Sequence, residues 1–188
     1  MNEQVLIPRL GDYKKLLTYQ KAKVIYDITY YFCGHFLKKG DRTVDQMVQA
    51  ARSGKQNIVE GCSAASTSVK SEIKLLNVAK ASLKELLEDF EDYLSVNNLE
   101  QWAFNSEKYT AMRVIAREHC ESDYFMQIVS TRPPGTIANM AIVLIKQADY
   151  LLFRQLESLS KEFIANGGFS ERMTRLRMQQ RGNQRYFN

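Results

Sequence analysis

Ala50-Ala51-Arg52-Ser53-Gly54-Lys55-Gln56-Asn57-Ile58-Val59-Glu60-Gly61 is the stretch on which the fold turns. It reads as one helix, running from about Val44 to Glu60. Val44, Met47 or Val48, Ala51, Gly54 or Lys55, and Ile58 follow its inner face at helical spacing. That face is small, and Arg52, Ser53, Asn57 and Glu60 are polar groups woven into it. A glycine in mid-helix costs about 1 kcal/mol relative to alanine, so Gly54 implies a neighbouring helix that comes close. Gly61 is expected to end the helix in the left-handed conformation of a C-cap. Glu60 is expected to pair with Arg52, or with a polar group such as Ser82 on the next helix, because a buried carboxylate must be satisfied.

Upstream, a helix is expected from about Tyr13 to Lys39, after an arm of residues 1–12 broken by Pro8 and Gly11. Leu16, Tyr19, Tyr26, Tyr30, Cys33 and Leu37 form one stripe. Val24, Ile28, Tyr31 or Phe32, and Phe36 form a second, so burial on two sides is expected. Gly40 is a stop, and Asp41 or Thr43 can cap the next helix. Downstream, Ser68, Ser66 or Thr67 caps a third helix that runs to about Val96. Its core positions are Val69, Ile73, Leu76, Ala79, Leu83, Leu86 or Leu87, Phe90 and Leu94. Residues 99–120 are helical but weakly patterned. Glu121 to Gly135 must include an irregular connection at Pro133-Pro134-Gly135. The last long helix is expected from Thr136 to about Ala165, with Asn166-Gly167-Gly168 as its end. No stretch alternates at strand period, so the chain reads as all-α.

The chain has 188 residues, 45% of them apolar and only three of them proline. It is therefore globular rather than disordered. The first residues carry no signal-peptide pattern, and the run Met140 to Ile145 is too short to span a bilayer; no membrane association is expected. Cys33, Cys62 and Cys120 are widely spaced and odd in number, which points to free thiols and a cytoplasmic protein. The formal charge of +5 permits nucleic-acid contact without demanding it.

No phosphate-binding glycine loop is present. His35 and His119, with Cys33 and Cys120, lack the usual ligand spacing for zinc. Glu60 and Glu85 do not complete a di-iron pattern, since neither histidine stands in a Glu-x-x-His motif. No catalytic residue, metal or cofactor is expected, and the chain does not read as an enzyme. The electrostatic features are stronger. Lys14, Lys15, Lys21 and Lys23 lie on the first helix, with Lys38, Lys39 and Arg42 at its end. The tail carries Arg172, Arg175, Arg177, Arg181 and Arg185 against one acid, Glu171. Arginine suits phosphate forks, and Tyr186 and Phe187 are suited to stacking on bases.

Arg52-Ser53-Gly54-x-x-Asn57-Ile58-Val59-Glu60-Gly61, followed by Ala79-Lys80-Ala81-Ser82-Leu83-Lys84-Glu85-Leu86, resembles the motifs of a four-helix-bundle family. That family was first associated with intervening sequences in bacterial large-subunit ribosomal RNA and includes the accessory variability proteins of diversity-generating retroelements. Ala81 stands where glycine is usual. The match covers roughly residues 16–95 well and the last long helix loosely; the chain looks like the longer variant with a C-terminal suffix. The resemblance implies an up-down antiparallel four-helix bundle over residues 13–165, with an extra helical segment at about 98–130 and a basic extension at 166–188. It also implies a homopentamer, nucleic-acid binding, engagement of a polymerase by the retroelement members, and no catalysis. Arg52, Asn57, Glu60, Gly61, Ser82 and Glu85 are then structural residues that lock helices two and three together.

The expected function is that of a non-enzymatic, oligomeric accessory protein that binds nucleic acid, RNA foremost. Lys14, Lys15, Lys21, Lys23, Arg172, Arg175, Arg177 and Arg181 are the phosphate contacts. The alternative is a structural or protein-interaction scaffold with no nucleic-acid role, in which the basic tail docks an acidic surface such as Glu88 to Asp92 of a neighbour.

Overall fold

In a computed structural model of the chain, residues 12–185 are described. The arm of residues 1–11, Tyr186 and Phe187, and the side chains of Arg172 and Arg185 lie outside the described residues. The described residues are all-α. The helices are α1 (Leu17–Phe36), α2 (Arg42–Ala64), α3 (Val69–Val96), α4 (Glu107–Glu118), α5 (Ser122–Val129), α6 (Pro134–Asn166) and α7 (Phe169–Arg185).

Their ends follow local chemistry. A 3-10 turn at Tyr13–Lys15, capped by the Asp12 carboxylate, precedes α1. Helix α1 stops at Phe36 rather than Lys39, and Gly40 turns the chain with φ of 88°. Asp41 accepts from the Thr43 amide at 2.9 Å, so α2 starts at Arg42. Ser68 accepts from the Ser71 amide at 3.1 Å and starts α3. Pro134 opens α6 two residues earlier than expected; at N1 its missing N–H costs nothing.

Gly61 does not end α2. The helix continues through Ala64, with the Ser63 hydroxyl donating to the Val59 carbonyl. Gly61 is buried inside the helix, and a Cβ there would stand 3.6 Å from the Glu72 carbonyl oxygen and from the Leu75 and Leu76 side chains. The tighter crossing is at Gly54, where a Cβ would meet Leu83 at 2.7 Å. Residues 99–120 are not one helix: 99–106 form a connection, and α4 begins at Glu107 behind its Ser106 cap. A further helix, α5, occupies part of the stretch expected to be irregular.

Helix α1 packs on α2 and α6, and α3 packs on the same two; α4 lies on α6 and α5 on α1. The core therefore draws on every one of these helices. From α1, Ala22, Val24, Ile25, Ile28, Phe32 and Cys33 are buried, while Tyr30 of the tyrosine stripe is exposed. Phe32 packs edge-on against Phe90 and Tyr93 of α3, with ring centroids at 5.2 and 4.7 Å. In α6 every residue from Ile137 to Ile145 is buried. Among the described residues α6 is the one helix long and apolar enough to cross a membrane by length and composition, and 61% of that apolar window is buried inside the molecule, as in a core helix. Polar ties join the same faces: Lys80 to Asp149 at 2.6 Å and Lys146 to Glu91 at 3.3 Å between α3 and α6, and Thr18 to Gln155 at 3.0 Å between α1 and α6. Among the described residues, α7 has no extended packing against another helix.

Candidate nucleic-acid interface

The polar residues of the α2–α3 seam form a smaller network than the sequence suggests. Ser53 and Ser82 share a hydrogen bond of 2.9 Å. The Asn57 amide donates to the Ser53 carbonyl at 2.9 Å and to its hydroxyl at 3.2 Å. Arg52, Glu60 and Glu85 are exposed. Glu60 thus pairs with neither Arg52 nor Ser82, because it points to water and has no desolvation to offset. Ser53 takes Ser82 instead. Glu85 instead lines a groove between α2 and α3 with Glu88, Asp89 and Asp92, and no cation lines it. Burial, and then Asp92, Glu85 and Glu88, push the Asp89 carboxyl up.

The expected phosphate contacts fall into separate groups. Lys14 and Lys15 are exposed on the 3-10 turn. Lys23 is exposed and paired with Asp27 at 2.6 Å. Lys21 leaves the set: it is 3% exposed, and its ammonium donates to the carbonyls of Ala116 and His119 at the C-terminal end of α4. There it satisfies helix-end carbonyls that have no partner within α4, and burial lowers its pKa. Arg175, Arg177 and Arg181 are exposed on α7. The Glu171 carboxylate is turned to the Gly168 amide at 2.6 Å, closing the start of that helix. Thr18, near the first lysines, meets α6 at Gln155, and α7 starts at Phe169, after the Gly167 turn that ends α6. The N-terminal lysines and the tail arginines thus stand on different elements, the 3-10 turn before α1 and α7.

Lys21 was legible as a core position, since it stands three, four and seven residues before Val24, Ile25 and Ile28. Arg113 and Arg117, absent from the expected set, are exposed one turn apart on α4. The residues considered for zinc do not converge. Cys33 is buried beside Met47, with its thiol pushed up to about 12 by burial and then by Asp89. His35 stacks on Tyr31 and His119 on Tyr124. Among the described residues no group of three or more His, Cys, Asp or Glu side chains is placed to hold a metal ion. No family model matches the chain, and no curated protein or solved structure is significantly similar to it.

Proposed function

We propose that this protein is a non-enzymatic accessory protein that binds nucleic acid, RNA foremost, as a homo-oligomer. The observation that carries the reading is α7: a basic helix on which Arg175, Arg177 and Arg181 are exposed and which, among the described residues, packs little on the other helices. Exposed arginines can fork onto phosphate oxygens. Helices α1, α2, α3 and α6 are read as an up-down four-helix bundle, supported by their closed ring of packing and the short α1–α2 and α2–α3 connections. The motif resemblance supports five copies, which would repeat the Lys14 and Lys15 pair and the α7 arginines around one axis. It also makes a polymerase a candidate partner. Three free thiols fit a reducing compartment, the cytoplasm.

Fluorescence anisotropy of a labelled structured RNA tests this. Three phosphate contacts by α7 on a duplex region weaken binding by roughly 40-fold between 50 and 200 mM salt. A chain ending after Gly168 is expected to lose most of that salt dependence. Absence of binding at 50 mM salt would sink the reading. The second reading, a protein-interaction scaffold, is favoured by the acidic α2–α3 groove, which is complementary to a basic helix such as α7 of another copy. It predicts salt-sensitive self-association that persists without RNA and is lost with α7.

A further inference from the structure

A cavity of about 520 Å³ opens between the start of α1, α4 and the middle of α6. It shares no lining residue with the acidic groove, and no described residue of α7 lines it. The inner wall is apolar: Ala116 and Tyr109 are buried there, and Leu151 of α6 closes the side. The mouth is apolar as well, with Leu17 54%, Phe104 65% and Tyr150 60% exposed. Three large apolar side chains left in water around one opening need an explanation that a solvated surface does not give.

The charges around the opening are of one sign. Arg113 and Arg117 project from α4 and no carboxylate lines the cavity; Lys146 of α6 also lines it, with its ammonium paired with Glu91 at 3.3 Å. Lys21 also reaches it, but its ammonium is already taken by the two α4 carbonyls, so it contributes its stem and not a free head. The arginine nearest the aromatic wall is held in place: the Arg113 guanidinium lies 5.6 Å from the Phe104 ring centroid. Its backbone is held too, since the Gln147 amide donates to the Arg113 carbonyl at 2.9 Å and ties α4 to α6. That bond commits one of the two Gln147 amide N–H groups. An apolar body with a single anionic head fits the wall and the rim together, and the volume is within the range of about 300–1,000 Å³ usual for small-molecule sites.

We propose that this cavity binds a small amphipathic carboxylate, its acyl or aryl body against Tyr109, Ala116 and Leu151 and its head between Arg113 and Arg117. The proposal is independent of the nucleic-acid reading.

Calorimetric titration of the full chain with dodecanoate, and separately with dodecanol, tests it. Saturable binding of one dodecanoate per chain is expected, tighter than that of dodecanol. The double variant Arg113→Gln/Arg117→Gln changes only exposed side chains, and an unchanged thermal melt verifies that it folds. It is expected to bind dodecanoate about tenfold or more weakly while its affinity for dodecanol is unchanged, as loss of a charge-assisted contact requires. Equal dodecanoate affinity in the double variant would overturn the proposal. So would the absence of saturable binding by the native chain. So would loss of self-association in the double variant without dodecanoate binding by the native chain, which would make this face a contact between copies.

Discussion

Gly54 lacks a side chain where α3 needs the room. A Cβ there would press on the Leu83 side chain at 2.7 and 2.8 Å, and Leu83 is fully buried. Alanine has the better helix propensity by about 1 kcal/mol, yet overpacking a closed core costs about 1–3 kcal/mol. Gly54→Ala is therefore expected to lower the denaturation midpoint, and Leu83→Val in the same chain to restore part of the loss; additive effects of the two changes would show that the crossing is not tight. Glu72 gives a residue-scale prediction of a different kind. It is 6% exposed, and burial, then Glu162, pushes its carboxyl up to about 7. The folded pKa is raised above the ordinary 4.5, so the folded state holds the proton more tightly. Stability from this group is full below about pH 4.5 and is lost as pH rises through about 7, by on the order of 3 kcal/mol. Glu72→Gln is expected to raise the melting temperature at about pH 8 and to leave it unchanged near pH 4. Equal shifts at both pH values would refute the ionisation argument.

At the scale of elements, the connection before α4 is fixed by one side chain. Asn139, 2% exposed on α6, accepts from the Trp102 amide at 2.7 Å and donates to the carbonyls of Glu100 and Gly135 at 2.9 and 2.8 Å. Removing the amide group leaves the part-buried Trp102 amide without its acceptor, at a cost of about 1–3 kcal/mol. Asn139→Ala is expected to destabilise the chain by at least that much and to raise hydrogen exchange first in residues 100–106; uniform exchange across the molecule would argue for a diffuse effect instead. The other end of α4 depends on Lys21. Lys21→Met keeps the stem but leaves the Ala116 and His119 carbonyls without their donor. A thermal melt should show a loss of about 1–3 kcal/mol, and RNA anisotropy should show an unchanged salt slope, since a buried amine releases no counterion. A reduced slope in a fully folded Lys21→Met chain would return Lys21 to the phosphate contacts.

For the whole molecule, the described packing lies in the α1–α6 body. Among the described residues α7 adds little to it, so a chain ending after Gly168 should melt within a few degrees of the full chain. A large drop in melting temperature would mean that α7 is a structural element of the core or of an assembly. The body itself was readable in its helices. Leu76, Ala79, Leu83, Leu86, Phe90 and Leu94 of α3 are buried as their spacing requires, and Ser68 caps where a serine before a periodic run should. The α2–α3 seam was readable in its glycine and not in its polar pairs. Whether Glu60 meets Ser82 depends on how far each helix is rotated about its own axis, which a repeat of 3.6 residues does not define, and Arg52 stands eight residues before Glu60 on the same helix, about 12 Å along its axis.

By itself, then, the amino-acid order determined the all-α class, three of the long helices to within a few residues at most boundaries, the Gly54 crossing and the excess of arginine beyond Gly167. These are local or periodic properties, set by side-chain spacing along one chain segment. Only the tertiary structure decided that Lys21 closes α4 and that Glu72 is held away from water. It alone decided that Asn139 ties down a connection 30 to 40 residues away in sequence, and that Arg113, Arg117 and Lys146 surround an apolar cavity. Each of those depends on which groups from distant segments meet in a water-poor space, where an unpaired polar group is costly.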